Sequence, residues 1–325
     1  MPLYREHKGA LEEIKESPFK LEKHLQELFE ANLEQLMGLE LVKSEFSIAG
    51  RRIDTLAFDP ERNAFIIIEY KRSKNISVID QGFAYLGLML ENKSDFIIEY
   101  NESLGRQMKR TDPDWSQTRV AFVSSHFTKD QRQATNFKDL AIELWEVRRY
   151  ANDTIAINPI RKTDSAASVK SKGASQQQTM EEPVGEYRAA DSVSDATAAT
   201  VREQIKVYTE EDLMAKGSDM SVELFEALKE RMLEQHDAME TSWLKEYMNF
   251  KVGKQIIMSV EMQKKAIKLW LNVPWGTLQD PKGIARDVRN IGHFGVGDYQ
   301  FSLKDTSPLS YLMSLVQDVM ALKGV

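Results

Sequence analysis

Two acidic residues on consecutive predicted strands give this sequence its clearest sign of chemistry. Asp54 ends the segment Gly-Arg-Arg-Ile-Asp, and Glu69 follows the isoleucine run 66–68 and precedes Tyr70 and Lys71. Residues two apart on a strand share a face, so Glu69 and Lys71 point the same way, and a tight hairpin brings Asp54 near them. Two neighbouring carboxylates suit Mg²⁺ or Mn²⁺, which take few protein ligands and retain several waters. Beside such an ion Lys71 can orient a water molecule, which is the outline of phosphodiester hydrolysis.

The acidic-x-Lys tripeptide is not specific by itself. Residues 13–15 and 280–282 fit the same pattern. Glu69 differs from them because it stands at the end of an apolar strand that follows a Gly-x-x-Ile-Asp strand at hairpin distance. The alternative interpretation is a strand end at which Glu69 and Lys71 face solvent as a weak ion pair.

Two helical segments offer further polar side chains. Glu22 shares a face with an apolar stripe at heptad-like spacing, formed by Leu25, Phe29, Leu33 and Leu36. Glu22 can therefore face the sheet, or it can be a solvated residue stabilised by the helix dipole. Gln81 and Tyr85 lie four residues apart and share one helical face. They can project together into a cleft, or Tyr85 can pack in the core with Gln81 exposed.

Taken in chain order, these residues resemble the core of the PD-(D/E)xK nuclease superfamily. The elements that carry the resemblance are the helix of Glu22, the Gly-x-x-Ile-Asp54 strand, Glu69-Tyr70-Lys71 and the Gln81-x-x-x-Tyr85 helix. The last element is similar to that of the RecB- and NucS-like branch. The resemblance covers roughly residues 17–150 and implies metal-dependent hydrolysis of DNA on a restriction-endonuclease-like core. Ile53 replaces the proline of the family's name, a variation that leaves the acidic ligand in place.

The resemblance also implies a role for each residue around the metal. Asp54, Glu69 and the main-chain carbonyl of Tyr70 would hold Mg²⁺ or Mn²⁺. Lys71 would act on the attacking water, and Glu22 would bind or orient the shell of the metal.

On the substrate side, the resemblance implies that Gln81 and Tyr85 line the binding site. Arg72 and Lys74 follow Lys71 closely and can hold DNA phosphates. A second basic cluster consists of Arg106, Lys109 and Arg110. A solvated surface explains both groups of basic residues almost as well as phosphate contact.

A mixed sheet with helices would have to position these side chains. The predicted strands of the first domain are 41–48, 51–58, 64–71, 95–100, 119–123 and 141–147. The predicted helices are 18–37, 78–90 and 128–136. Hairpin strands followed by βαβ material favour an α/β fold, with a mixed sheet flanked by helices.

Composition divides the chain into two folded parts. Residues 161–204 are rich in Ser, Ala, Thr, Gln and Asp, and this predicts a flexible linker between a nuclease-like domain at 1–160 and a smaller α+β domain at 205–325. The expected elements of the second domain are a helix over 222–232, strands at 250–260 and 266–273, a helix that begins at Asp280-Pro281, and a closing helix over 309–320. This domain resembles a domain of unknown function that follows nuclease-like domains.

Composition also excludes several classes of protein. The chain has 325 residues and no cysteine, which rules out disulfide scaffolds, cysteine nucleophiles and thiolate metal sites. The net charge is −7, so any DNA contact must come from a local basic face. The longest apolar run, 64–68, is far shorter than the roughly 18 residues of a membrane helix, and residues 1–10 carry no apolar signal stretch. We expect a cytoplasmic protein without membrane contact.

Three function classes remain open at this point. The first is a Mg²⁺- or Mn²⁺-dependent deoxyribonuclease whose C-terminal domain selects the DNA substrate, a protein partner or a second copy of the chain. The alternative is a non-catalytic module that binds nucleic acid or protein on a nuclease fold. The third is an interaction protein with no nucleic-acid role. A nucleotide cofactor is not expected, because the glycines of the sequence do not form a phosphate-binding loop.

Overall fold

The structure, a computed structural model, describes residues 2–71, 77–163, 165–168 and 194–325. It divides into two compact units, Met1–Val207 and Tyr208–Val325. The predicted fold class is confirmed, because the first unit is a mixed sheet with helices on both faces and the second is a smaller α+β unit. Each unit has a hydrophobic core of its own.

A six-stranded sheet forms the centre of the first unit. A separate hairpin of β1 (Leu3–His7) and β2 (Ala10–Ile14) precedes it. The strands of the sheet are β3 (Glu40–Ile48), β4 (Arg51–Asp59), β5 (Ala64–Lys71), β6 (Arg119–Ser124), β7 (Ile142–Arg149) and β8 (Ile155–Ile160). They lie side by side in chain order, with β5, β6 and β7 parallel to one another and the other neighbours antiparallel.

Apolar side chains place β5 and β6 in the middle of this sheet. Every residue of β6 is buried, and so is every residue of β5 before Lys71. Strands covered on both faces read as near-continuous apolar runs, which is the pattern of both segments. Glu69 is the charged residue within the β5 run, and its carboxylate therefore needs partners inside the protein.

Helices cover the two faces of the sheet. They are α1 (Glu22–Ala31), α2 (Leu33–Met37), α3 (Val78–Glu91), α4 (Lys93–Leu104), α5 (Lys129–Thr135) and α6 (Asp195–Gln204), with a short 3₁₀ helix at Trp115–Gln117. Side chains of α1 and α2 pack on one face in a core that includes Leu25, Phe29 and Tyr70. Side chains of α3, α4 and α6 belong to the core on the other face.

Two predicted elements of the first unit are wrong in type or extent. Residues 95–100, predicted as a strand, lie within α4, because Phe96, Ile97 and Tyr100 are buried at helical spacing while Ile98 is exposed. The predicted helix over 18–37 begins only at Glu22 and is interrupted at Asn32, whose side-chain amide donates a hydrogen bond to the carbonyl of Leu28.

The end of the predicted linker also differs from the structure. Residues 195–204 form α6, and the Ser194 hydroxyl accepts a hydrogen bond from the Thr197 N–H at its start. Val201 and Ile205 are buried in the core shared with α3. Gly87 of α3 permits this packing, since a Cβ there would lie 2.4 Å from the Thr197 methyl group. Two apolar residues in a polar stretch are enough to hold the helix against the unit.

The second unit is an antiparallel sheet with helices. Its strands are β9 (Met239–Trp243), β10 (Met248–Val252), β11 (Gln255–Gln263), β12 (Ala266–Leu271), β13 (Arg286–Asp287) and β14 (Tyr299–Leu303), in the spatial order β13-β14-β12-β11-β10-β9. Its helices are α7 (Glu210–Met214), α8 (Asp219–Leu233) and α9 (Leu309–Lys323). The apolar stripes of α8 and α9 pack into one core with the sheet.

The helix predicted to begin at Asp280-Pro281 is absent, and the segment is a turn. Asp280 accepts hydrogen bonds from the Ala285 N–H and from the Tyr311 hydroxyl, so its carboxylate caps a loop. Gly283 has a φ of +60°, which ends any helical path two residues after the proline. Among the described helices of both units, none combines the length and hydropathy that a bilayer crossing requires.

Candidate active site

The hydrogen-bonded ladder between β4 and β5 ends where the two predicted carboxylates lie. Its last paired residues are Thr55 and Ile68, and Asp54 and Glu69 come next on their strands. The Asp54 N–H donates to Glu69 Oε1 at 3.3 Å, and the Tyr70 N–H donates to Asp54 Oδ2 at 3.0 Å. Each carboxylate thus accepts from the main chain of the opposite strand, and the two are held side by side.

Two side chains contact the second oxygen of Glu69. Lys71 Nζ lies 3.0 Å from Glu69 Oε2, and Gln81 Nε2 donates to the same oxygen at 3.5 Å. Gln81 Nε2 also lies 3.4 Å from the Tyr85 hydroxyl, to which it donates. Gln81 and Tyr85 are in the first two turns of α3, which begins after Ser77, whose hydroxyl accepts from the Asp80 N–H.

One polar atom in this group has no partner. Gln81 Oε1 is buried and accepts no hydrogen bond from any residue that the structure describes. Since Gln81 Nε2 faces Glu69 and the Tyr85 hydroxyl, its oxygen is directed to the remaining side of the group. A buried carbonyl oxygen of this kind is normally paired, and a water molecule is the usual partner.

Burial dominates the electrostatics of both carboxylates. It raises the pKa of Asp54 above its ordinary value, and the negative charges of Glu45 and Glu22 raise it further, against the lowering effect of the Tyr70 N–H and Lys71. Burial likewise raises the pKa of Glu69, with Lys71 lowering it and Asp54 raising it. A buried and a half-buried carboxylate that share one lysine are short of positive charge, which is a setting in which a cation can bind.

A divalent ion fits this donor set with three oxygens. Asp54 and Glu69 supply carboxylates, and the Tyr70 carbonyl lies on the same strand edge as the Tyr70 N–H, because both groups of a strand residue face the same neighbour. Mg²⁺ commonly takes one or two carboxylates and keeps its waters. Within the described part of the chain no group of three His, Cys, Asp or Glu side chains is arranged to hold a metal ion.

Glu22 is placed differently from the other predicted residues. It is the first residue of α1 and is exposed, and it affects Asp54 through its charge. The structure thus brings Asp54, Glu69, Lys71, Gln81 and Tyr85 into one hydrogen-bonded group and leaves Glu22 at its edge.

Two groups of basic residues are candidates for phosphate binding. The first, Arg72 and Lys74, lies outside the described residues. In the second basic cluster, Arg106 forms a two-point ion pair with Glu40 at the start of β3. Asn63 lies in the β4–β5 turn and donates a hydrogen bond to the main-chain carbonyl of Asp112, next to this cluster. Because Glu69 is near the other end of β5, the cluster lies at the end of the sheet opposite Glu69.

A buried polar group behind the carboxylates was not predicted from the sequence. Gln26 of α1 donates from Nε2 to the main-chain carbonyl of Asp54 at 2.7 Å, to Ser44 Oγ at 3.2 Å and to Glu30 Oε1 at 2.9 Å. Glu30 also accepts from the Thr55 hydroxyl. Gln26 is 3% exposed, so these bonds tie α1 to the end of β4. Gln26 and Glu30 lie four residues apart beside the apolar stripe, a spacing that could have indicated a shared buried face.

Comparison with known proteins identifies relatives for both units. Residues 210–323 match the family model described as a domain of unknown function (DUF5655), which confirms the predicted kind of C-terminal domain. A protein of Haemophilus influenzae described as uncharacterized is 45% identical over 317 residues, which are 98% of each chain.

Solved structures with partial similarity are those of nucleases and of a calcium complex. An EndoMS–double-stranded DNA complex has 15% identity and a TM-score of 0.21 over 36% of this chain and 42% of that one. A repair endonuclease from Pyrococcus abyssi has 16% identity and a TM-score of 0.21 over 37% and 44%. SfsA from Pyrococcus furiosus in complex with Ca²⁺ has 16% identity and a TM-score of 0.24 over 42% and 63%.

The chain spans less than two thirds of each of these structures, and fold similarity of this extent does not determine function. The Haemophilus influenzae protein, in contrast, matches this chain along nearly the whole length of both proteins. The chain therefore belongs to the family of that Haemophilus influenzae protein.

Proposed function

We propose that the first unit is a Mg²⁺- or Mn²⁺-dependent deoxyribonuclease that hydrolyses phosphodiester bonds at the end of the β4–β5 ladder. The observation that carries the proposal is the buried Glu69 carboxylate, 3% exposed, which Lys71, Gln81 and the Asp54 main chain all contact. A surface ion pair would need none of these neighbours. A buried acid–acid–lysine group at a strand end is suited to binding a cation and a water molecule together.

Each residue has a task in this proposal. Asp54, Glu69 and the Tyr70 carbonyl hold the ion, which when bound makes water a better nucleophile and neutralises phosphate charge. Lys71, 17% exposed at its side chain, donates a hydrogen bond to the attacking water or to a phosphate oxygen. Gln81 Oε1, buried and unpaired among the described residues, accepts a hydrogen bond from that water.

The remaining predicted residues belong to the periphery of the same proposal. Tyr85 fixes the orientation of Gln81, from which its hydroxyl accepts a hydrogen bond. Glu22 adds negative charge near Asp54 and acts on the outer waters of the ion. Arg72 and Lys74 contact DNA phosphates in this proposal, and the second unit selects the substrate or a partner.

One observation favours the non-catalytic alternative. Glu69 already pairs with Lys71, and no triad of acidic or histidine side chains suited to a metal occurs within the described ranges. A domain that binds nucleic acid without cutting it would retain this ion pair and would not depend on Asp54.

A cleavage assay separates the two functions. Wild type is incubated with end-labelled single-stranded, duplex, branched and mismatched DNA in Mg²⁺, in Mn²⁺ and in EDTA, beside Asp54→Asn, Glu69→Gln and Lys71→Ala. The nuclease proposal predicts metal-dependent products that fall by about 100-fold or more in each variant. Glu102→Gln, an exposed charge change on α4, is the control and cuts like wild type. DNA binding without products, unaltered in Asp54→Asn, would replace the nuclease proposal with the binding module.

A further inference from the structure

A cavity of about 400 Å³ opens at the edge of the sheet where β6 and β7 end. Three segments line it, and its lining residues are Glu16, Pro18, Phe19, Ser125, His126, Val147, Arg148 and Arg149. Its volume is within the range of small-ligand sites in proteins. The cavity combines one aromatic ring, two arginines, a histidine and a serine, which are the groups that contact nucleotides.

Strand register places this cavity next to the proposed site. Lys71 is the Cα partner of Ser124, and Ser125 and His126 follow directly. Ser124 is in turn the partner of Glu146, two residues before Arg148. Neighbouring strands are about 4.8 Å apart, so the cavity on β7 lies on the order of 10 Å from Lys71.

Arg148 can exchange one of its partners for a phosphate. Its Nε and Nη2 donate to the buried Glu146 at 2.9 and 2.6 Å, which fixes the plane of the guanidinium. Its Nη1 donates to Glu16, whose side chain is 47% exposed, at 2.8 Å. Because the Glu16 side chain is about half exposed, its ion pair with Arg148 contributes little, and an incoming phosphate displaces Glu16 at small cost.

The other groups of the cavity are accessible as well. Arg149 is exposed and pairs with Asp153, whose side chain is 87% exposed. His126 is exposed at the end of β6. Phe19 is partly buried just before α1.

We propose that this cavity is a nucleotide subsite of the proposed nuclease, in which Arg148 and Arg149 bind DNA phosphates and Phe19 stacks on a base, close to the bond that is cut. The inference rests on the proposed function for its substrate. The test requires neither a metal ion nor DNA cleavage, because the residues of the subsite contact the DNA when it binds.

The test measures binding of the full chain in EDTA to a single-stranded oligonucleotide of about 15 nucleotides labelled at its 3′ end, by fluorescence anisotropy over a range of salt. Arg149→Ala is expected to weaken binding about threefold to tenfold and to reduce the slope of log K against log salt by about 0.7. Phe19→Leu keeps an apolar side chain and is expected to weaken binding about fivefold with the slope unchanged. Lys138→Ala, which removes an exposed positive charge before the start of β7, at the end of the strand opposite Arg149, is the control and binds like wild type.

Oligonucleotides with and without a 5′ phosphate identify the source of the phosphate. A larger loss for the 5′-phosphorylated strand assigns the subsite to a strand end, and equal losses assign it to an internal phosphodiester. Wild type that binds no DNA would overturn the nuclease proposal and the subsite together. Wild type that binds and cuts DNA, with Arg149→Ala and Phe19→Leu binding equally tightly, would overturn the subsite alone.

Discussion

Asp54→Asn should stabilise the metal-free protein while it removes the proposed activity. Burial raises the pKa of both Asp54 and Glu69. The folded state therefore holds these protons more tightly than the unfolded chain, and stability falls as the pH rises from the ordinary values of 3.8 and 4.5 through the raised ones. At neutral pH both carboxylates are charged at a cost, and asparagine relieves one of the two charges.

The size of the effect follows from the geometry. Side chains opposite each other on antiparallel strands are about 5 Å apart, and two unit charges at that distance repel by about 3 kcal/mol at an effective dielectric constant of 20. Lys71, 3.0 Å from Glu69, and the Tyr70 N–H, 3.0 Å from Asp54, offset much of this repulsion. A net gain of about 1–2 kcal/mol remains, which corresponds to about 2–8 °C for a unit of this size.

Differential scanning calorimetry in EDTA and in Mn²⁺ measures both halves of the prediction. In EDTA, Asp54→Asn melts above wild type. Mn²⁺ at about 100 times its dissociation constant stabilises wild type by about 2.7 kcal/mol and leaves the variant unchanged. Glu102→Gln removes an exposed charge and stays within about 0.5 kcal/mol of wild type in both buffers. An Asp54→Asn protein that melts below wild type in EDTA, or that shifts equally with Mn²⁺, would refute the reasoning.

Three further substitutions test other parts of the structure. Gln26→Leu removes the hydrogen bond to the Asp54 carbonyl and should cost about 1–3 kcal/mol in thermal unfolding, with weaker Mn²⁺ binding by calorimetric titration. Gly295→Ala places a Cβ 2.4 Å from the Trp270 ring and should lower the melting temperature of the second unit alone, with a loss of about 1–3 kcal/mol. Burial opposes ionisation of Glu146, but its two arginine partners prevail and hold the pKa of Glu146 below 4.5. The charged Glu146 therefore stabilises the fold fully above pH 4.5, and this stabilisation is lost as the pH falls through the lowered pKa. Glu146→Gln should reduce the free energy of unfolding at pH 7 and make the loss of stability in acid less steep.

For each of these substitutions, one result would contradict the prediction. Unchanged Mn²⁺ affinity in Gln26→Leu would mean that the Asp54 main chain needs no support from α1. A lowered transition of the first unit in Gly295→Ala would contradict separate cores. An acid unfolding profile of Glu146→Gln identical to that of wild type would show that the buried ion pairs do not govern acid sensitivity.

The strands that carry the candidate site could be predicted because their composition favours strands as well as burial. The β5 segment is predicted with the bounds that the structure has, since three successive β-branched isoleucines between a turn and a charged end favour a buried strand. Segment 95–100 was wrong because a short apolar run does not separate strand from helix by periodicity. The turn at Asp280 was missed because the carboxylate has capping partners distant in sequence, among them Tyr311.

The sequence predicts that Asp54, Glu69, Lys71, Gln81 and Tyr85 lie together, but it does not predict the buried polar group around Gln26 behind them. Asp54 and Glu69 are brought together by hairpin register, which the spacing of two strands encodes. The support from Gln26 depends on how α1 crosses the sheet, and that is set by packing of the whole unit. The arginines beside the cavity are on β7, whose place next to β6 follows from the sheet order and not from any local pattern.

The most direct measurement is an anomalous difference map from crystals of the full chain soaked in Mn²⁺. A cation held by the Asp54 and Glu69 carboxylates and the Tyr70 carbonyl predicts a peak between them, with Lys71 turned from Glu69 toward a bound water. A map without a peak at this position, with Lys71 still paired to Glu69 at saturating Mn²⁺, would contradict the account.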